Sequence, residues 1–493
     1  MSENPVIGRI LDLYKPIWAL NHAASLFEWD LETNMPVDAA KSRGVAQAQL
    51  ALIRQQKVLG LKEIASKAEH LSGLNDYEKG IVRKINRELE YSMKVPPELV
   101  EELTRTTAEA SVVWREARRQ SDFSLFEPQL EKIVRLKVEE ANKLGYEGHP
   151  YNALMDLFEE DLTTRDVDRV FSPLVVALKK ILEGVESGKT FPSSHKLEDV
   201  AYDEGAMRRV NQEVLRILGM PDKTFRMDVS THPFTASMSM DDVRITTRYE
   251  GKSFRETIFS VIHECGHALY DLQVDHSLEY SPLASGPSLG MHESQSRFWE
   301  NFVGRGREFT KLLYPTLKRN LTFASEYSED DIYRYFNLVR PSLIRVAADE
   351  VTYNFHIIVR YEVEKKLIGG EAKVSEIPEI WDDMMEEYVG VRPNNLAEGV
   401  LQDVHWSGGM IGYFPTYSLG NVIAGMVSNR MQRDLNLEEV ISRGDLNPIK
   451  LWLKENIHRW GAIYSPKELQ QKVFGDAYNP EYLVKYLEQK YLS

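Results

Sequence analysis

A single cysteine, Cys265, is the only one in 493 residues. No intrachain disulfide can form, and a reducing compartment suits the chain. Uninterrupted apolar runs are also missing: no stretch approaches the roughly 20 residues that a membrane span requires. The first residues, MSENPVIGRILDLYKPIWAL, break their apolar run with Arg9, Asp12 and Lys15, which leaves no apolar core for a signal peptide. Basic charge is in deficit, with 60 Lys and Arg against 75 Asp and Glu and a formal charge of −15. A phosphate backbone or an anionic lipid surface is repelled by such a chain on average. The expected protein is cytoplasmic, with neither nucleic acid nor membrane as a partner.

What is present reads as helix. Segments such as ELVEELTRTTAEASVVWREARR (98–119) and LFEPQLEKIVRLKVEEANKLG (125–145) place apolar residues at three- and four-residue spacing with charges between them. The same period recurs near 39–70, 77–94, 164–185, 204–218, 341–366, 377–389, 417–441 and 478–490. One region departs from it: 225–249, FRMDVSTHPFTASMSMDDVRITTRY, is rich in Thr, Ser and Val in short alternations and reads as a small sheet. The fold expected is mainly α with one small β-sheet. There is no internal repeat, and the change in composition along the chain is too mild to define independent domains. We expect a single unit over 1–493, with an N-terminal helical half to about 220 and a half from 221 that carries the sheet and the chemistry.

Chemistry concentrates in IFSVIHECGHALYD, 258–271. On a helix, positions i and i+4 differ by about 40° around the axis and about 6 Å along it. His263 and His267 therefore project from one face and can reach one ion. Glu264, turned by about 100°, sits beside that ion as a general base and not as a ligand. Such a triplet arises by chance in about one chain of this length in a hundred, so its surroundings decide. Ile258, Val261, Ile262, Ala268 and Leu269 imply a buried helix, where unpartnered imidazoles and a carboxylate are costly. Cys265 reads as a small buried filler inside this helix.

A catalytic zinc site takes three protein ligands and keeps one position open. The third is expected from SLGMHESQSRFWENF, 288–302, whose entry is marked by Gly286, Pro287 and Gly290. Glu293 follows His267 by 293 − 267 = 26 residues, enough for a turn and an antiparallel helix. Glu293 is the expected ligand, and His292 and Glu300 are the alternatives.

Six short motifs in order widen the signal: HPF (232–234), DVRIT (242–246), HECGH (263–267), HESQ (292–295), IRVAAD (344–349) and GVLQDVHW (399–406). With them the chain resembles the carboxypeptidase Taq family of metallocarboxypeptidases along its full length. The resemblance implies a saddle- or cradle-shaped helical zincin with a deep groove, usually a homodimer. It implies one zinc, or sometimes cobalt, per subunit and the release of single residues from peptide C-termini, with broad specificity and poor activity on C-terminal proline.

Other roles follow less directly. His405 and Tyr417, with Tyr413 as a competitor, are the expected donors to a tetrahedral oxyanion, because they lie in Gly-rich, loop-like stretches. Arg345 is the expected partner of the substrate's terminal carboxylate; its alternative is an ion pair with Asp349 at i+4. Gln402 and His232 are further expected substrate contacts, whereas Arg244 reads as a brace for the sheet. Two rival functions stay open at this point: a zinc endopeptidase or oligopeptidase with the same core, and a non-catalytic helical peptide-binding protein.

Overall fold

The computed structural model describes residues 4–188 and 190–492, and helices dominate them around one small sheet. The local signals act as expected. The helix Glu204–Leu218 starts from Asp203, whose carboxylate accepts from the Ala206 N–H at 2.8 Å. It buries Met207, Val210, Val214 and Ile217 along one stripe and stops at Gly219, which takes the left-handed conformation with φ 65°. Asp76–Lys94, Pro97–Gln120, Glu127–Leu144, Thr164–Gly188 and Ile377–Val389 likewise lie where the period put them.

Three expected helices differ. The segment read as 39–70 is two helices, Ala40–Leu59 and Lys62–Glu69, broken at Gly60. The segment read as 341–366 becomes helical only at Tyr353–Gly369; before it stands a single 3-10 turn, Arg345–Ala347. There Asp349 accepts from the backbone N–H groups of Arg340, Val351 and Thr352, which fixes a loop in place of helix. The segment read as 417–441 is two helices, Pro415–Met431 and Leu437–Ser442. They are separated where Asn436 caps the second through the Glu439 N–H at 3.2 Å.

The sheet has strands β1 (Phe225–Val229), β2 (Thr235–Ser239) and β3 (Asp242–Thr247) in the order β1-β3-β2. β1 runs parallel to β3, and β2 runs antiparallel to it with an irregularity between Ser237 and Ser239.

The chain forms two compact units, each gathered from three segments. One comprises Met1–Ser92, His195–Phe336 and Ala424–Ala477. Its core is the helix Phe254–Gln273, with Phe254, Ile258, Val261, Ile262 and Leu269 buried, and β3 with Val243 and Ile245 buried. Burying one such aliphatic or aromatic side chain is worth about 1.5–3 kcal/mol. The other comprises Met93–Ser194, Asn337–Ile423 and Tyr478–Ser493. Its central helix, Tyr353–Gly369, is buried on nearly every face and brings Arg360 and Glu364 into the interior. Among the described residues no helix is long and apolar enough to cross a membrane.

Candidate metal centre

The motif helix Phe254–Gln273 presents His263 and His267 on one face, with ring centroids 5.1 Å apart. Opposite them stands the short helix Leu289–Arg297, opened by Ser288, whose hydroxyl accepts from the Met291 N–H at 3.2 Å. It carries Glu293. The Nε2 atoms of His263 and His267 each lie 3.5 Å from Glu293 Oε2, and the three donor atoms lie within 4.8 Å of one another. Gly266 makes this approach possible. A Cβ there would stand 2.5 Å from the Ser296 Cα and 2.7 Å from the Gln295 carbonyl oxygen, so the middle of HECGH has no room for a side chain.

The two alternative ligands occupy supporting positions. Glu300 Oε2 is 3.0 Å from His263 Nδ1, and His292 Nδ1 is 3.0 Å from His267 Nδ1. His292 Nε2 in turn stands 3.0 Å from Asp271 Oδ1. One proton arrangement satisfies the whole chain: His292 donates from Nε2 to Asp271 and accepts at Nδ1 from the His267 N–H. The lone pair of His267 Nε2 is then left facing Glu293. His263 reaches the same state by donating from Nδ1 to Glu300. Partners of this kind set the tautomer and orientation of metal-ligating histidines.

Two arginines hold the carboxylates. Arg297 donates from Nε to Glu293 Oε1 at 2.7 Å and from Nη1 to Glu300 Oε2 at 3.3 Å, and Arg305 donates to Glu300 Oε1 at 2.9 Å. The Ser296 hydroxyl lies 3.1 Å from Glu293 Oε2. A wide π-helical turn, Phe298–Gly304, carries Glu300 into this position; such turns occur often at functional sites.

The electrostatics follow from this cluster. Burial opposes ionisation of Glu293 and Glu300, but Arg297 and the imidazoles outweigh it and hold both well below the usual carboxylate range. Burial lowers His267, with Glu293 working against it. Burial also works to lower His263 but is overcome by Glu293 and Glu300, which raise it. For His292, Asp271 outweighs burial and raises the pKa; a more basic Nδ1 is a stronger acceptor for the His267 N–H. Four carboxylates, Glu264, Glu293, Glu300 and Asp271, stand among two guanidinium groups. That excess of negative charge, around two imidazoles and a carboxylate in ligating reach, fits a divalent cation.

Glu264 is buried, and its Oε2 accepts from the Thr235 hydroxyl at 2.6 Å; the same hydroxyl lies 3.1 Å from the Glu264 carbonyl oxygen. Thr235 opens β2, one residue beyond the HPF motif. Cys265 is the buried filler expected, its thiol pushed well above the ordinary range by burial.

The remaining expected residues have partners of their own. His232 is exposed, and its carbonyl oxygen accepts from the Ser230 and Thr246 hydroxyls. Arg244 makes a two-pronged pair with Asp242 at 2.7 Å and lies over the Trp29 ring, the brace expected of it. In the second unit Arg345 pairs not with Asp349 but with Asp403, through Nε at 3.0 Å and Nη2 at 2.8 Å. Asp403 also accepts from Arg360 Nε at 2.6 Å. Gln402 clamps the loop: its oxygen accepts from the Arg345 N–H at 2.9 Å, and its amide donates to the Leu343 and Glu398 carbonyls. His405 Nε2 lies 3.2 Å from the Tyr417 hydroxyl, and the rings of His405 and Tyr413 are 5.6 Å apart. Tyr417 sits in the first turn of Pro415–Met431, not in a loop. Burial drives His405 down to about 4, with Asp403 opposing, so its imidazole is neutral near pH 7.

Comparison with known proteins bears on the whole chain. Residues 9–491 match the carboxypeptidase Taq (M32) metallopeptidase family. Thermostable carboxypeptidase 1 of Pyrococcus furiosus is 47% identical over 495 residues, covering 99% of both chains, and carboxypeptidase 1 of Bacillus subtilis is 36% identical over 97% of both. The solved Pyrococcus furiosus carboxypeptidase superposes with a TM-score of 0.98 at 46% identity over 100% of both chains. Trypanosoma cruzi metallocarboxypeptidase 1 superposes with a TM-score of 0.93 at 32% identity over 99% of both. A histidine-histidine-glutamate cluster in a helical chain that matches these proteins end to end leads to one conclusion: the chain belongs to the carboxypeptidase Taq (M32) family of metallopeptidases and is a metal-dependent carboxypeptidase.

Proposed function

We propose that the enzyme is a zinc carboxypeptidase, with cobalt as a competent substitute, that removes single residues from peptide C-termini with broad specificity and little activity on C-terminal proline. His263, His267 and Glu293 are the ligands, one ion per subunit. The observation that carries this reading is the shared approach of two Nε2 atoms to one carboxylate oxygen, at 3.5 Å each, next to a second carboxylate pinned by a threonine. When bound, such an ion polarises the scissile carbonyl and acidifies water toward neutral pH.

Glu264 takes the proton from the attacking water and later gives it to the leaving amine. Thr235 holds its Oε2, which leaves Oε1 for the proton. His405 and Tyr417 supply hydrogen bonds to the developing oxyanion; their mutual contact at 3.2 Å orders the two groups. Arg345 and Arg360 share the single carboxylate of Asp403. The cluster keeps a net positive charge, which supports Arg345 as the group that attracts the substrate's terminal carboxylate. His232 and Gln402 act in substrate binding indirectly, by shaping the backbone around β2 and Arg345. A homodimer in a reducing cytoplasm completes the proposal, the compartment resting on the single cysteine.

The test is Glu264→Gln. The variant keeps its metal while kcat falls by about 10²–10⁴; near-wild-type turnover contradicts the assignment.

A further inference from the structure

A cavity of about 280 Å³ opens beside the metal centre within the first unit, between the N-terminal helix Pro5–Thr33, strand β2 and the segment that follows the motif helix. Asp271 and His292 form part of its wall, so it lies on the far side of His267 from Glu293. It falls just below the roughly 300–1,000 Å³ range of ligand pockets, a size suited to one side chain and not to a whole peptide.

Its lining carries no Lys or Arg and two carboxylates, Asp271 and Glu279. Asp271 is engaged with His292, and Glu279, which takes a side-chain hydrogen bond from Tyr280, is the second charge in the wall. Trp18 supplies an aromatic wall, backed edge-on by Tyr280 with centroids 4.7 Å apart. Tyr280 is 44% exposed and holds a left-handed backbone at φ 62°. An aromatic face, a carboxylate with acceptor capacity beyond its one hydroxyl partner and serine hydroxyls are the set that recognises a guanidinium or ammonium group.

Two rulers give the distance from the chemistry. From Glu264 to Asp271 the motif helix advances by seven residues, about 10 Å. From Thr235, which touches Glu264, to Ser237 and Ser239 in the cavity wall, β2 advances by about 7–13 Å. An extended peptide covers about 3.5 Å per residue, so the cavity is two to three residues from the cleaved bond. A carboxypeptidase has a single residue on the leaving side, so the substrate backbone that extends that far is on the acyl side.

We infer that this cavity is a subsite for a basic side chain, arginine before lysine, on the second residue before the cleaved bond. Glu279 and Trp18 are its specificity residues. The inference rests on Glu264 as the base, since that residue sets the origin of both rulers.

The experiment compares acetylated tripeptides Xaa-Ala-Ala, with Xaa Arg, Phe, Gly or Glu, by release of the C-terminal alanine. Wild type is expected to favour Arg over Gly by about tenfold in kcat/KM, chiefly through KM, and to lose part of that preference in high salt. Glu279→Gln and Trp18→Ala each collapse the Arg-to-Gly ratio; the ratio within one variant is unaffected by a general loss of activity. In the companion series Ala-Xaa-Ala the ratio is unchanged by Glu279→Gln. A wild-type ratio near one, a preference for Phe over Arg, or a ratio that survives Glu279→Gln overturns the subsite while leaving the carboxypeptidase reading intact. Failure to release alanine from any of the peptides overturns that reading instead.

Discussion

Replacing His292 by phenylalanine removes the acceptor of the His267 N–H and leaves the aromatic ring's volume in place. In the structure that N–H has one partner, His292 Nδ1 at 3.0 Å, and His267 is largely buried. An unmade hydrogen bond at such a site costs about 1–3 kcal/mol. Because the tautomer that frees Nε2 is no longer favoured, the loss falls on metal binding. Supporting partners of this kind are worth about 10–100-fold in affinity, or about 1.4–2.7 kcal/mol, so two independent routes give the same range. Asp271→Asn is expected to do less, since its amide oxygen still accepts from His292 Nε2. The assay is zinc affinity of the apoprotein by competition with a chelator, with the thermal midpoint as a check on folding. A His292→Phe variant that folds and binds zinc as tightly as wild type refutes the proton chain from Asp271 to His267.

Three further outcomes follow from particular contacts. Thr235→Val deletes the hydroxyl that pins Glu264 Oε2 at nearly constant volume; kcat is expected to fall about tenfold or more with KM and metal content little changed, and Thr235→Ser restores it. Gly266→Ala forces a methyl to 2.5 Å from the Ser296 backbone. The two ligand-bearing helices must separate, and loss of bound metal together with a lower thermal midpoint is expected; a fully loaded, active variant contradicts the close-approach argument. Glu364 is held by donors from Trp406 and Gly412 at 2.7 and 2.9 Å, yet burial pushes it up to about 7. Its folded pKa lies above the unfolded value near 4.5, so the native state keeps a proton that the unfolded chain releases. Stability is then fully present below about pH 4.5 and falls as pH rises toward 7, by up to about 3 kcal/mol. Against Glu364→Gln, the wild-type unfolding midpoint should drop between pH 5 and 7; parallel curves refute the shift.

The sequence carried the centre of the site because its determinants are local. Two histidines one turn apart and a glutamate between them fix their own geometry once a helix forms, and apolar residues around them ensure that it does. Glu293 needed only a turn and an antiparallel return. His292 and Glu300 could be named but not assigned. In the structure Arg297 bridges Glu293 to Glu300 and a wide turn follows Phe298, and neither leaves a periodic trace.

Thr235 was illegible for a different reason. Its partner is 29 residues away on another element, and a threonine in a strand looks like any other. The expected helix at 341–366 failed in its first half because Asp349 satisfies three backbone N–H groups as a loop, a competition that apolar spacing does not reveal. The same loop set Arg345 against Asp403, 58 residues on, instead of Asp349.

Anomalous diffraction at the zinc edge from zinc-soaked crystals tests the central claim most directly. The expected result is one strong peak bonded by His263 Nε2, His267 Nε2 and a Glu293 oxygen at about 2.0–2.2 Å, with an open position toward Glu264. A peak held by His292 or Glu300 in place of these, or no peak at the cluster, contradicts the account.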